Sequence, residues 1–201
     1  MEQDFIKEMI DSEKNAISNI DVDSIVKACD LIAEIYDNKK KVIISGIGKA
    51  GHIAELFSKM LCSVKIKAVF LHPTEAQHGD MGIIGENDLL ILISNSGKTR
   101  EVIELIEISK NLNFDNKYML MTSNIESDLK NVVDHIIPIN YDCEIGDLKL
   151  APTTSTTVMK VMCDLIISVI SKRVNLTYLD YYKIHHSGYL GELSKKLMEK
   201  S

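Results

Sequence analysis

The chain has 201 residues, 45% of them hydrophobic and 5% aromatic, with no tryptophan and a formal net charge of −6. That length and apolar content suit one domain with a sizeable core. The acidic balance and the scarcity of aromatic rings argue against nucleic acid or a membrane surface as partner, but leave room for a small anion held by local positive charge.

Two amphipathic helices are expected first, from Gln3 to Asn19 and from Asp23 to Tyr36. Ile6, Ile10 and Ile17, then Ile25, Ala28, Ile32 and Ile35, recur at helical spacing. Short apolar runs then alternate with helical segments. The strands are expected at Lys41–Ser45, Ala68–Leu71, Leu89–Ser94, Tyr118–Thr122 and His135–Ile139, and the helices between them near Gly51–Ser63, Thr99–Asn111 and Asp128–Val132. Continuous apolar strands are covered on both faces, and strand–helix alternation builds parallel sheets. The expectation is a single α/β domain over residues 1–201: a three-layer αβα sandwich around a five-stranded parallel sheet, with helical extensions at both ends. Pro152 is placed to begin a long helix through Lys172, followed by helices near Tyr178–Tyr182 and Leu190–Lys200. Lys160 and Asp164 interrupt the apolar stretch Val158–Ile170, which reads as a buried helix rather than a membrane span.

Cys29, Cys62, Cys143 and Cys163 are widely spaced and form no C-x-x-C pair. Buried thiols in a reducing compartment are the expectation. The acidic start, Met1-Glu2-Gln3-Asp4, carries no signal-peptide core, so a cytoplasmic protein is expected.

Three loops carry chemistry. Gly46-Ile47-Gly48-Lys49-Ala50-Gly51 matches G-x-G-x-x-G after the first strand. The carboxylate that a dinucleotide site requires at the end of the next strand is missing, because Glu75 lies beyond that strand. A backbone-dense ligand turn with one cation and a tight turn with an exposed lysine both remain open. Next, Leu71-His72-Pro73-Thr74-Glu75-Ala76-Gln77-His78-Gly79-Asp80-Met81-Gly82 offers proton-transfer groups. His72, Glu75, His78 and Asp80 match no strong zinc spacing, so no metal is expected to be required, although a divalent ion could bind there and inhibit. Finally, Ser94-Asn95-Ser96-Gly97-Lys98-Thr99 joins a strand to a helix. The free amides of a first helical turn stabilise an anion, and three hydroxyls with Gly97 exceed what a cap needs. A second hydroxyl cluster, Thr153–Thr157, is assigned to capping and support.

Together these residues resemble the sugar isomerase (SIS) domain of arabinose-5-phosphate isomerases. The likeness runs through Gly46–His52, His72–Gly82, Ser94–Gly97 and Leu150–Thr157, and ends at His185-His186-Ser187-Gly188-Tyr189-Leu190-Gly191. It implies a flavodoxin-like sandwich that interconverts D-ribulose 5-phosphate and D-arabinose 5-phosphate through an enediol(ate), without a cofactor, for Kdo synthesis. It also implies a homotetramer with active sites shared between subunits. By position, the family's catalytic residues correspond to Lys49, His78, Glu101, Glu144 and His185. Ser94, Ser96, Gly97 and Thr99 correspond to the phosphate loop, with Gly46, Gly48 and Glu75 lining the substrate. The family's usual His-Pro-Gly-Gly reads His185-His186-Ser187-Gly188 here, and the chain stops at Ser201, so regulation through the CBS repeats of many members is not expected.

Isomerisation needs a base near two carbons, an acid–base group at their oxygens and positive potential for developing charge. With Asp142 and Asp147 close by, the residues alone read Glu144 as a solvated loop acid; the resemblance favours a partly desolvated base with its pKa raised toward neutrality. Either Glu144 or His185 would take the carbon-bound proton, while His78 would move protons between oxygens or assist ring opening. Glu101 could serve the helix dipole or orient Lys49 and a sugar hydroxyl. The alternatives are another sugar-phosphate isomerase of this fold, such as a 3-hexulose-6-phosphate isomerase, or a non-catalytic sugar-phosphate sensor.

Overall fold

In the computed structural model, residues 2–200 are described. Helix α1 (Glu2–Ser18) comes first and buries only Ala16. Helix α2 (Val22–Asp37) begins where the Asp21 carboxylate accepts the amides of Asp23 and Ser24, and its buried stripe runs Ile25, Ala28, Cys29, Ile32 and Ile35. An aspartate at that position satisfies amides that have no helical acceptor.

The sheet follows: β1 (Val42–Gly46), α3 (Gly48–Ser63), β2 (Ala68–Phe70), a single turn α4 (Pro73–Ala76), β3 (Leu89–Ile93), α5 (Arg100–Lys110), β4 (Lys117–Thr122) and β5 (His135–Pro138). The five strands are all parallel in the order β2-β1-β3-β4-β5. Val42 of β1 pairs with Ala68 on one side and Leu89 on the other.

The apolar strands divide residue by residue between two cores, as period-two side chains must. Val42, Ile44, Leu89, Ile91, Met119 and Met121 face α2, α3 and the long helix α6 (Thr154–Arg173). Ile43, Leu90, Leu92, Tyr118 and Leu120 face α5 and the short turns. This is the expected three-layer sandwich. Helix α6 has the length and composition to cross a membrane, yet it packs into the first core through Val158, Met159, Met162, Cys163, Ile166 and Ile170. Helices α7 (Tyr178–Ile184) and α8 (Gly188–Met198) pack on each other as an arm.

Several boundaries differ from the sequence reading. Helix α3 starts at Gly48 rather than Gly51, because Gly48 takes φ +62° and turns the chain early. Helix α6 starts at Thr154, leaving Pro152 outside it. The segment at Asp128–Asn131 is a 3-10 turn, and a further 3-10 turn at Asp80–Ile83 follows α4. Neither α4 nor that turn was expected, since four-residue helices are too short to show periodicity. Cys29 and Cys163 are buried, and burial pushes the Cys29 thiol up to about 11. Cys62 is exposed and Cys143 half-buried, against the expectation of four buried thiols. Cys62 lies in the last turn of α3, on the side turned away from the core.

Candidate active site

Strand order reverses between β1 and β3: the chain moves outward to β2 on one side and to β4 and β5 on the other. Open parallel sheets bind ligands at the carboxyl ends of strands beside such a switch point. Gly46 ends β1 and pairs with Ile93 at the end of β3. A Cβ on Gly46 would stand 2.9 Å from Ile93 O, and one on Gly51 would stand 2.8 Å from Gly46 O. Glycine at these two positions therefore lets both glycine loops meet.

Two helices start at that edge without a side-chain cap. Ile47 precedes α3 and Thr99 precedes α5, and neither side chain bonds the first-turn amides. Those amides carry the partial positive end of each helix. Lys49 sits exposed in the first turn of α3, where the dipole disfavours a cation, so local helix stability does not account for it. In the second loop the Ser94 and Thr99 hydroxyls lie 2.7 Å apart. Ser96 is exposed and its Oγ accepts the Lys98 amide at 3.2 Å, which leaves its own proton free to donate. Gly97 takes φ +62°, and a Cβ there would press to 2.7 Å from Ser127 Cβ. Glu101 is half-buried in the first turn of α5.

The loop is pinned from behind. Asn95 O accepts the Thr122 and Ser123 hydroxyls at 3.1 and 2.8 Å, and Asn95 Nδ2 donates to Tyr141 Oη at 2.8 Å. These anchors were missed in the sequence: nothing local marks Tyr141, forty-six positions away. They tie the Ser94–Thr99 loop to the segment after β5 that carries Glu144. A polar cavity of about 920 Å³ opens there, lined by Asn15, Asn19, Ser123, Asn140, Tyr141 and Glu144 among others.

Glu144 is 9% exposed. Its Oε2 accepts the amides of Thr153 and Ser155 at 2.8 and 3.1 Å, and the Thr153 hydroxyl at 3.2 Å. The expected upward pKa shift is corrected here. Burial pushes the carboxyl up, but the hydrogen bonds from Ser155 and Thr153 outweigh it and hold it below the ordinary glutamate range. The Thr153 side chain does not cap α6 itself. Its hydroxyl accepts the Ile145 amide at 2.9 Å instead, so Glu144 does the capping that the threonine cluster was expected to do.

His78 and Glu75 are exposed on either side of the α4 end. Gln77 Nε2 donates to Glu104 Oε2 at 3.0 Å, which lays this segment along α5, one turn from Glu101. His72 Nδ1 accepts the Thr74 amide at 3.3 Å and starts α4. Among the described residues no group of three or more histidines, cysteines and carboxylates is gathered for a metal ion. His185 stands apart on the α7–α8 arm, with His186 exposed beside it. Near the start of α7, Asp180 pairs with Lys65 at 3.1 Å, just before β2 and thus at the opposite edge of the sheet. Among the described residues, no hydrogen bond, ion pair or ring contact joins His185 to Lys49, His78, Ser96, Glu101 or Glu144.

The structure is a parallel α/β sandwich in which two helices begin without a side-chain cap at the switch point. The chain belongs to the SIS domain family, whose pattern matches residues 34–169. It is 38% identical over 184 residues to the arabinose 5-phosphate isomerase KdsD of Francisella tularensis, covering 92% of this chain and 54% of that protein. The chain thus spans about half the length of that relative. Among solved structures, a Bacteroides fragilis protein assigned as a phosphosugar isomerase involved in capsule formation superposes with a TM-score of 0.90 at 46% identity, covering 94% of this chain and 100% of that one. An Escherichia coli CFT073 protein solved in complex with arabinose 5-phosphate superposes with a TM-score of 0.79 at 30% identity, covering 90% and 95% of the two chains.

Proposed function

We propose that this chain interconverts D-ribulose 5-phosphate and D-arabinose 5-phosphate as a cytoplasmic enzyme supplying Kdo synthesis. The observation that carries the reading is the convergence of two uncapped helix N-termini at the switch point, one bearing Lys49 and the other Ser94, Ser96 and Thr99. The arabinose 5-phosphate bound by the E. coli relative and the name of the F. tularensis relative support a five-carbon ester, and the B. fragilis relative supports a phosphosugar isomerase.

In this reading the phosphate rests on the first-turn amides of α5 and on the hydroxyls of Ser94, Ser96 and Thr99, with Gly97 allowing close approach. Gly46, Gly48 and Glu75 frame the sugar. A base, Glu144 or His185, removes the proton from C2 of the aldose, and the electron pair forms the C1=C2 enediol(ate). The proton returns at C1 while O2 becomes the ketone oxygen. Lys49 offsets the developing negative charge, Glu101 orients Lys49 and a sugar hydroxyl, and His78 moves protons between O1 and O2 or opens the furanose. Hydrogen bonds and one cation supply the stabilisation, so the scheme requires no metal or cofactor.

The assembly in this reading is a homotetramer with shared sites. Phe5, Ile6 and Ile10 of α1 are 43%, 54% and 48% exposed, and α7 and α8 enclose an apolar groove of about 780 Å³. Such surface suits an interface, and a neighbouring subunit's arm would bring a histidine to each crevice. Incubating the purified chain with ribulose 5-phosphate in heavy water should yield arabinose 5-phosphate with deuterium at the exchanged carbon. Turnover of only a hexulose 6-phosphate would replace the substrate, and binding without hydrogen exchange would make the chain a sensor.

A further inference from the structure

His185 directly follows the seven-residue helix α7, and its surroundings decide which of its nitrogens can accept a proton. Its backbone amide donates to Tyr181 O at 2.9 Å. Its Nδ1 lies 3.3 Å from the same carbonyl oxygen. A carbonyl oxygen only accepts, so Nδ1 must carry the hydrogen in that contact. In the neutral ring Nε2 then keeps its lone pair, and no described residue takes it. The imidazole also lies flat on the Tyr181 ring, with centroids 4.2 Å apart and planes 15° from parallel. One turn of helix separates the two residues, which brings their side chains side by side.

The backbone is gripped from the other side. A Cβ on Gly191 would fall 2.1 Å from His185 O and 3.0 Å from His186 C, so the first turn of α8 packs directly against the histidine's main chain. Backbone position is thus set by Gly191, ring plane by Tyr181, and tautomer by the Tyr181 carbonyl. Ring and carbonyl of Tyr181 both meet the same imidazole.

We propose that Tyr181 is a positioning residue whose ring holds His185 as the Nδ1–H tautomer, with Nε2 presented outward as the proton acceptor. Free histidine in water favours the opposite tautomer, so the arm would supply a base geometry that the side chain alone does not. The phenol oxygen plays no part; the flat ring does. The inference rests on the reading of His185 as a proton-transfer group, and its test separates the two.

The experiment is two-bond 1H–15N correlation NMR on the full chain labelled at histidine nitrogen, with His186→Gln used to assign the arm signals. Wild type, Tyr181→Phe and Tyr181→Leu are compared above the histidine titration. Leucine keeps apolar bulk on the arm without a flat ring, and circular dichroism checks that it folds. Wild type and the phenylalanine variant should show a protonated Nδ1 and a bare Nε2 at His185, and the leucine variant a shift toward Nε2–H. Isomerase kcat should fall about tenfold in the leucine variant, a partial loss of the roughly 10²–10⁴-fold that a positioned proton-transfer group contributes, with KM nearly unchanged and phenylalanine restoring it. Nε2–H in the wild type, or Nδ1–H retained in the leucine variant, overturns the proposal. A changed tautomer with unchanged kcat upholds the positioning and overturns the catalytic reading of His185.

Discussion

Glu144 joins a structural duty to its proposed chemical one, and both leave a signature in pH. Oε2 takes the amides of Thr153 and Ser155 and the Thr153 hydroxyl. The carboxyl is held below its ordinary value, so its charged form is favoured in the fold relative to an unfolded value of about 4.3. Its contribution is therefore full above that unfolded value and disappears as pH falls through the lower, folded value. Glu144→Gln should lower stability at pH 7 by about 0.5–2 kcal/mol, the scale of a lost helix cap. The difference from wild type should shrink below about pH 4, where both side chains are neutral in the unfolded chain. Urea denaturation at the two pH values checks this, and a pH-independent difference would remove the charged cap. On the proposed mechanism the same variant should also lose hydrogen exchange into substrate, an outcome the cap alone does not require.

At the scale of elements, the two glycine loops make unequal demands on their residues. Gly48 and Gly97 share φ +62°, but space around Gly48 is open whereas Gly97 abuts Ser127 and Thr122. A left-handed alanine costs about 1–2 kcal/mol in either place. Gly97→Ala should cost more than Gly48→Ala, because its Cβ must also displace Ser127, and thermal or urea unfolding of the pair gives the comparison. Equal losses would mean that the loop yields without resistance. Ser96→Ala should weaken substrate binding by about 1–3 kcal/mol through loss of a hydrogen bond to a charged group. Isothermal titration with the sugar phosphate and with its unphosphorylated sugar reads this directly. An effect confined to the phosphorylated ligand supports the cradle, and equal affinity removes Ser96 from it.

The whole molecule leaves apolar surface uncovered on α1 and on the arm, with His185 on the latter. A charged residue in the α7–α8 groove should break the proposed assembly without unfolding the sandwich, since the arm packs mainly on itself. Leu193, 37% exposed, is the place for it. Leu193→Glu should shift sedimentation from a tetramer to smaller species and reduce turnover together with it. Retained activity in a monomer would refute the shared site.

Much of this was legible in the chain. The five apolar runs announced a sheet buried on both faces, since burial leaves its period in the sequence, and the strand boundaries fall within a residue or so of expectation. The glycine and hydroxyl loop between β3 and α5 was legible because its residues and the following helix are local to one another. The protonation of Glu144, the Asn95–Tyr141 tie and the distance of His185 from the crevice had no such mark. Each depends on which distant segments come to lie side by side. Periodicity and loop chemistry are short-range properties that the sequence determines by itself; electrostatic surroundings and the meeting of remote side chains arise only when the tertiary structure closes.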